Sequence, residues 1–409
     1  MEYPRWIKVS QELDRKRDED PVQTVREQVR AVGEALEIND GDRIAITVGS
    51  RYISNLVGIT MAVIDYIKSR GGVPFLVPSM GSHGGATADG QKKLLEEYGF
   101  TEETMGVPIL SSMEVVLLGE VEGVPIYLDK NAYRADGIIV INRIKPHQVF
   151  KGEIQSGLDK MMALGLGKKK GADAIHNSGR TDNLDRIGDF IISKAPILFG
   201  VGILENAFDE TREIAVLTPK DFKEYDKKWA KVSRSLLPRI PIRDLDLVLV
   251  DEMGKDISGS GMDTNVIGFT RRTDPSGNVA VPLAVFDLTE KSDGNAIGIG
   301  LADFTTRGLV EKIDFKKTNI NVIATGIYSA GRVPITLESE RDIIDVILRK
   351  LQTPQKSRII RLKNTLHLEE FFATEALIPD IQDNESLSCL GNMVETAFDD
   401  KGNLILLEQ

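Results

Sequence analysis

The sequence predicts an α/β protein made of two α/β domains, with the active site in the cleft between them. Short apolar runs alternate along the chain with segments of helical periodicity, which is typical of a sheet that helices cover on both faces. The chain has 409 residues, more than a single hydrophobic core usually holds. A stretch with two prolines in four residues, within 237–244, separates two such patterns and is the predicted linker.

The residues before the linker predict an N-terminal domain, 1–240. Val57, Met61 and Ile64 recur at helical spacing between two apolar runs, which indicates a strand, a helix and a second strand. A further helix is expected from Thr87, whose hydroxyl can cap it, to Tyr98. Strands are predicted at 43–49, 73–81, 137–144, 197–206 and 213–219, and a charged helix at 221–237.

A second alternating pattern predicts a C-terminal domain, 244–375. Its candidate strands are 244–254, 279–289, 296–306 and 320–328. His367 falls in an apolar helix pattern, which is typical of a packed or surface histidine, so it is assigned no role. The last segment, 376–409, ends in a sequence typical of a hairpin and could return to either domain.

Composition and charge exclude several classes of partner and site. The 51 basic and 62 acidic side chains give a net charge of -11, which disfavours nucleic acid as a partner. Cys389 is the only cysteine, so an internal disulfide and a cysteine-rich metal site are both excluded. Neither a signal peptide nor an apolar run of membrane-spanning length is recognised, so we expect a cytoplasmic protein without a membrane partner. A homo-oligomer is compatible with the sequence.

Three of the four histidines, His83, His147 and His176, lie in glycine-rich or proline-adjacent segments that follow predicted strands. Ligands of open α/β sheets bind at the carboxyl ends of the strands, so these side chains are candidates for a shared site. His83 precedes a helix, whose N-terminus disfavours imidazolium, and could accept a proton or only tie the turn together. Arg51 follows the first strand and could bind a carboxylate or only close its turn.

A glycine- and lysine-rich segment joins His147 to His176. Lys168, Lys169 and Lys170 lie within it. Backbone N–H groups and ammonium groups both stabilise phosphate, so the segment could wrap a phosphorylated cofactor. For at least one of the three lysines, a solvated surface position is the simpler interpretation.

Taken together, these segments resemble the nickel-pincer lactate racemase family. The resemblance rests on His83 in GSHGGAT, on His147 followed by SGLDK, which ends at Lys160, and on His176 sixteen residues further on. In the second domain, residues 260–272 resemble the family's substrate-facing stretch around an Asp-x-Asn core, here Asp263 and Asn265. The resemblance therefore extends over both predicted domains.

The resemblance implies a racemase or 2-epimerase of 2-hydroxy acids that depends on a nickel-pincer nucleotide, in which nickel is bound to a pyridinium bis-thiocarboxylate mononucleotide. It implies that this nucleotide is attached covalently to Lys160 and that His176 ligates the nickel. The glycine- and lysine-rich segment predicts that Lys168 and Lys169 contact the nucleotide. The N-terminal domain would carry these groups, and enzymes that build the cofactor would be partners in maturation.

The same resemblance implies that His83 and His147 form an acid/base pair and that Arg51 anchors the substrate carboxylate. One histidine would remove the hydroxyl proton while hydride moves to the cofactor and leaves a planar 2-keto acid. Return of the hydride to the other face would give the opposite configuration. The protein's partner is then a small 2-hydroxy acid.

The second-domain stretch predicts a substrate that is larger or more anionic than lactate, such as a sugar acid. Ile267 and Gly268 replace the Tyr-Gln pair of the lactate enzymes, which would open the pocket. Arg271 stands where those enzymes have a lysine and is expected to bind the substrate.

Two other functions are compatible with the same residues. A metal hydrolase could use the three histidines as direct ligands, with water in the open position, and would bind zinc without a nucleotide. A non-enzymatic protein could bind a phosphorylated ligand through residues 168–170, and loss of His83 would then leave binding nearly intact.

Overall fold

A computed structural model gives the structure of the chain. It divides into two compact units, which we call the first unit (Asp14–Leu236) and the second unit (Met1–Leu13 with Leu237–Gln409). Each contains parallel strands and packed helices, so the predicted α/β class is confirmed. The residues described are 2–34, 36, 38–49, 52–146, 152–179, 182–267 and 281–406.

The strands and helices are numbered in chain order. The strands are β1 (Trp6–Gln11), β2 (Arg43–Val48), β3 (Val73–Pro78), β4 (Val115–Val121), β5 (Val124–Asp129), β6 (Gly137–Arg143), β7 (Ile197–Glu205), β8 (Thr211–Leu217), β9 (Leu247–Met253), β10 (Leu283–Leu288), β11 (Phe304–Thr306), β12 (Ile335–Leu337), β13 (Ile359–Leu362), β14 (Glu370–Thr374), β15 (Leu387–Val394), β16 (Ala397–Phe398) and β17 (Leu404–Ile405). The helices are α1 (Pro21–Gly33), α2 (Leu56–Ser69), α3 (Ala88–Glu97), α4 (Glu102–Met105), α5 (Lys130–Tyr133), α6 (Leu158–Lys160), α7 (Lys168–Ser178), α8 (Leu184–Lys194), α9 (Phe222–Leu236), α10 (Thr264–Ile267), α11 (Arg307–Glu311), α12 (Phe315–Thr325), α13 (Glu340–Leu348) and α14 (Ile378–Gln382).

The sheet of the first unit has the strand order β3-β2-β6-β7-β8. The first four strands are parallel, and β8 is antiparallel to β7. Ile46 and Ile139, at the centre of β2 and β6, are fully buried, as expected for strands covered on both faces. The strands predicted in this part of the chain are confirmed. Because β2, β3, β6 and β7 run in parallel, the loops after them meet at one edge, which we call the carboxyl edge.

Helices of the first unit begin where a side chain can accept their free N–H groups. Asp20 accepts the N–H of Gln23 at 3.0 Å, with Pro21 as the first residue of α1. Thr87 accepts the N–H of Gly90 at 3.1 Å, which confirms its predicted capping role for α3. The predicted charged helix is confirmed as α9. Within the described ranges, no helix combines the length and apolar character needed to cross a bilayer.

The sheet of the second unit has the strand order β12-β11-β10-β9-β13-β14-β1-β15. The first five are parallel, and β14, β1 and β15 add as antiparallel strands. The N-terminal residues were expected in the domain 1–240, but β1 belongs to the second unit, where fully buried Trp6 lies opposite Thr374 and Val394. Segment 376–409, which the sequence left unplaced, belongs to this unit, and β16 and β17 form the predicted hairpin.

Three local predictions in the second unit were wrong. The strand expected at 296–306 is limited to its last three residues, β11, because residues 299–301 form a 3₁₀-helical turn. Residues 320–328 were expected as a strand, but most of them belong to α12, because Asp314 accepts the N–H of Lys317 at 3.0 Å and Gly326, with φ 68°, ends the helix. His367 lies in a loop before β14 instead of a helix, where the side chain of Asn364 accepts its N–H at 2.9 Å.

Candidate active site at the carboxyl edge of the first unit

His83 is exposed in the loop that follows β3, residues 79–87, which we call the His83 loop. The His83 N–H donates to the carbonyl of Met80 at 3.1 Å. Gly84 has φ 62°, and a Cβ atom there would lie 2.7 Å from the backbone nitrogen of Gln91. Glycine is therefore required beside His83 by conformation and by space. The loop presents the imidazole to solvent at the carboxyl edge, where a substrate could reach it.

The buried side chain of Gln91, on α3, binds the backbone of the His83 loop. Its amide nitrogen donates to the carbonyls of Gly81 at 2.9 Å and of His83 at 3.3 Å. Its amide oxygen accepts from the ammonium of Lys168 at 3.3 Å. Gln91 thereby connects the backbone of the loop to the first residue of α7.

Lys168 is fully buried, whereas the sequence predicted that it contacts a phosphorylated cofactor. Its ammonium lies 3.2 Å from a carboxylate oxygen of fully buried Asp129 and donates to the carbonyl of Pro78. Burial lowers the pKa of Lys168 and raises the pKa of Asp129, and the attraction between the two charges opposes both shifts. Lys168 thus binds protein groups beneath the His83 loop, because Asp129 at the end of β5 offers it a buried partner.

The two lysines that follow have different surroundings. Lys169 is exposed and forms an ion pair with Asp173, one helical turn away. The ammonium of Lys170 lies 4.7 Å from the centroid of the Tyr127 ring. Contact of Lys169 with a cofactor stays a prediction, and its exposure is compatible with one.

Lys160 and His176 lie on two consecutive helices, α6 and α7. Lys160 is the last residue of α6 and is half-buried, and His176 is exposed near the end of α7. Burial of part of its surface lowers the pKa of the His176 imidazole and the positive charge of Lys160 lowers it further, whereas Asp173 opposes the shift. His176 is therefore mostly neutral at neutral pH, which is the form of imidazole that binds a metal.

The segment that carries Lys160 and His176 packs against the His83 loop. Between α6 and α7 the chain makes a π-helical turn, Met161–Gly165. The N–H of Gly81 donates to the carbonyl of Gly165 at 3.3 Å, and a Cβ atom at Gly81 would lie 3.5 Å from that of Ala172. His83, Lys160 and His176 thus belong to one packed assembly at the carboxyl edge.

Two buried carboxyl groups, Asp159 and Asp226, lie beside Lys160. They are 1% and 0% exposed, and among the described residues the Oδ2 atom of Asp159 has no hydrogen-bond partner. Burial raises the pKa of Asp226 to about 7, although two backbone N–H donors oppose the shift. Burial also raises the pKa of Asp159, followed by repulsion from Asp226, Asp189 and Asp185, whereas Lys223 opposes the shift. The two groups titrate as a pair.

We predict that Asp159→Asn raises the melting temperature at pH 8 and has little effect near pH 4. Folding raises the pKa of Asp226 from 3.8 to about 7, so the folded chain binds a proton that the unfolded chain lacks between these values. Stability from this proton is complete below the lower pKa and is lost as pH rises through the upper one. Asp159→Asn removes the neighbouring carboxyl and so eases ionisation of Asp226. A gain of roughly 2–4 °C is expected for about 1 kcal/mol.

Melting curves of the wild type and of Asp159→Asn at unit pH steps test this prediction. Glu114→Gln is the matched control, because Glu114 is an exposed carboxylate of the first unit that pairs with Lys130 at 3.0 Å. A constant difference between Asp159→Asn and the wild type from pH 4 to pH 8 would show that the buried pair does not titrate in this range.

Another buried carboxylate, Glu205 at the end of β7, holds Ser54, which lies between β2 and α2. One oxygen accepts the N–H of Ser54 at 3.0 Å, and the other pairs with Arg143 at the end of β6. The Thr211 hydroxyl donates to the carbonyl of Ser54 at 3.1 Å. Sequence reasoning missed Arg143 and Glu205, although both stand at carboxyl ends of predicted strands and that placement could have identified them.

Several predicted site residues lie outside the described residues: Arg51, His147 and Arg271, together with Gly268 and Arg272. Ile267 is 6% exposed and packs in the core of the second unit. Asp263 is held there by Thr365, whose hydroxyl accepts its N–H at 2.8 Å. In the described part of the chain, no group of three or more histidine, cysteine or acidic side chains could hold a metal ion.

Comparison with known proteins gives a likeness of fold. No known family and no curated protein matches the sequence of this chain. A Thermotoga maritima protein of known crystal structure aligns with a TM-score of 0.48 and 14% identity over 77% of this chain and 82% of that one. The lactate racemase apoprotein from Thermoanaerobacterium thermosaccharolyticum aligns with a TM-score of 0.51 and 11% identity over 88% of this chain and 98% of that one. The chain therefore has a fold similar to that of this lactate racemase apoprotein.

Proposed function

We propose that the protein is a racemase or 2-epimerase of 2-hydroxy acids that uses a nickel-pincer nucleotide. The observation that carries the proposal is that α6, which ends at Lys160, and α7, which carries His176, flank one π-helical turn that packs against the His83 loop. An amine for covalent attachment and a neutral imidazole for a metal are the two groups that this cofactor requires of the protein. The likeness in fold to lactate racemase apoprotein adds support.

The chemistry of these residues fits the proposed cofactor. Nickel(II) accepts imidazole and favours square-planar surroundings, so a cofactor with three donors needs one histidine, here His176. Exposed Lys169 can contact a phosphate, whereas Lys168 is occupied by Asp129. Bound through Lys160 and His176, the cofactor would supply a hydride acceptor.

The chain's own residues would bind the substrate and move its proton. His83, exposed at the carboxyl edge, would accept the proton of the substrate hydroxyl, and His147 would serve the opposite face. Arg51 and Arg271 would bind the carboxylate and any further anionic group, because guanidinium pairs with carboxylate through two parallel hydrogen bonds. The substrate class is a 2-hydroxy acid larger or more anionic than lactate, such as a sugar acid.

Turnover in D₂O tests this proposal. Cofactor-loaded protein is incubated with single stereoisomers of lactate, malate and gluconate. The products are separated by their configuration at C2, and their deuterium content is measured by mass spectrometry. We expect inversion of at least one acid with its C2 hydrogen retained, because hydride that leaves and returns does not exchange with solvent. Deuterium at C2 would indicate proton abstraction from carbon and contradict the mechanism.

Lys160→Arg is the control for this experiment. It keeps the positive charge but is expected to abolish covalent attachment and turnover. Inversion by this variant at the wild-type rate, or by protein made without the cofactor-building enzymes, would contradict the proposed cofactor. No inversion of any tested acid by fully loaded wild type would contradict the proposed substrate class.

A further inference from the structure

We propose that Asp226 is a positioning residue for Lys160, because its buried carboxylate holds the start of α6 and so fixes the backbone from which Lys160 extends. That Lys160 binds the nucleotide covalently is part of the proposed function, and this inference rests on it. The contacts of Asp226 are independent of the proposed function, since they involve only residues of the first unit.

The carboxylate of Asp226 accepts two backbone N–H groups at the start of α6. One oxygen accepts from Leu158 at 3.1 Å and the other from Asp159 at 2.9 Å. The first N–H groups of a helix have no partner within the helix, and the side chain of Asp226 supplies an acceptor for two of them. A capping side chain usually comes from the residue just before the helix. Here it comes from α9, 68 residues after Leu158.

Gly157 is what admits this distant carboxylate. Its φ of 103° lies in the region that favours glycine, and a Cβ atom at this position would overlap the carboxylate of Asp226. Its carbonyl accepts from the side-chain amide of Asn142 at 2.7 Å. The residue before α6 is therefore fixed from β6 on one side and from α9 on the other.

The side chain of Asp159 is fixed from a third direction. A Cβ atom at Gly188, on α8, would overlap the carboxylate of Asp159, so the glycine makes room for it. Leu158 and Asp159 are both buried, and Lys160 is the residue of α6 that reaches solvent. A backbone held at Leu158 and Asp159 fixes the Cα–Cβ direction of Lys160, from which the rest of its side chain extends.

Loss of a positioning residue is expected to change the binding of the group that it positions by a measurable factor. Groups that orient a ligand residue without touching the ligand typically change affinity or activity by about 10–100-fold when they are removed. We therefore expect loss of the Asp226 carboxylate to reduce covalent loading at Lys160 by at least about tenfold under conditions that do not saturate the wild type.

The test uses full-length Asp226→Asn and Asp226→Ala, with Glu114→Gln as the matched control on an exposed carboxylate. Three quantities are measured: hydrogen exchange of the amides of residues 157–161, the rate at which an amine-reactive reagent labels Lys160 in protein without cofactor, and the loaded fraction after co-production with the cofactor-building enzymes. Asp226→Asn and Asp226→Ala should show faster exchange, altered Lys160 labelling and reduced loading. Glu114→Gln should match the wild type.

Unchanged exchange and labelling in both Asp226 variants would overturn the inference, whatever the loading. Wild type that accepts no nucleotide would contradict the proposed function, while exchange and labelling would still decide the role of Asp226. The wild type alone gives a further test if the variants do not fold. Its Leu158 and Asp159 amides should exchange as slowly as those in the middle of α9, and exchange at the rate of exposed loops would overturn the inference.

Discussion

Replacement of His83 by alanine should lower the turnover of the 2-hydroxy acid by about 10²–10⁴-fold and leave the nucleotide at Lys160 in place. The imidazole is exposed, so its removal opens no cavity in the core. The bonds that hold the loop from Gln91 end on the backbone carbonyls of Gly81 and His83, and alanine keeps both. The loss should therefore appear in kcat without a matching loss of stability or loading.

We would measure kcat and KM by chiral separation of the products. The fraction of protein that carries the nucleotide is measured by intact mass, and the stability of the protein by thermal melting. His367→Ala is the matched control, because this exposed histidine lies in the second unit and has no proposed role. A kcat of His83→Ala within a factor of about two of the wild type would remove His83 from the chemistry. Loss of nucleotide together with turnover would assign His83 a role in cofactor binding.

Lys168→Met should reduce the free energy of unfolding by about 3–5 kcal/mol, because it leaves the carboxylate of Asp129 buried without its partner. The carbonyl of Pro78 and the amide oxygen of Gln91 lose a donor in the same step. Lys169→Met should cost only about 0–1 kcal/mol, since its ion pair with Asp173 is exposed. The two variants make the same chemical change at adjacent positions.

The double variant Lys168→Met with Asp129→Asn separates charge from packing. With neither charge present, much of the stability should return, and urea unfolding of the four forms gives the coupling energy between the two sites. Equal stabilities of Lys168→Met and Lys169→Met would contradict a structural role of the buried pair. A stable Lys168→Met that no longer takes up nucleotide would instead support the phosphate contact predicted from sequence.

The strands around the site could be predicted because each produces a recognisable pattern in its own short stretch of sequence. Parallel strands covered on both faces appear as continuous apolar runs, and β2, β3, β6 and β7 all do so. The role of the Thr87 hydroxyl as a helix cap could also be predicted from the local sequence. Residues 320–328 misled the prediction because their β-branched side chains favour a strand, whereas the caps at Asp314 and Gly326 impose a helix.

Contacts between distant parts of the chain could not be predicted. Lys168, Lys169 and Lys170 are equivalent in the sequence, and only the arrival of Asp129 from β5 distinguishes the buried one. Asp226 lies in a highly charged helix and has the appearance of a surface residue. β1 pairs with strands more than 350 residues away, which no local pattern could reveal. Tertiary pairing decided each of these cases.

The central claim, that Lys160 and His176 hold a nickel-pincer nucleotide, is tested most directly by intact mass and nickel analysis of protein co-produced with the cofactor-building enzymes. We predict a mass increase of nucleotide size, located at Lys160 by peptide mapping, with one nickel per chain that is lost in His176→Ala. An unmodified Lys160 under these conditions, or nickel that remains bound at full stoichiometry in His176→Ala, would contradict the account.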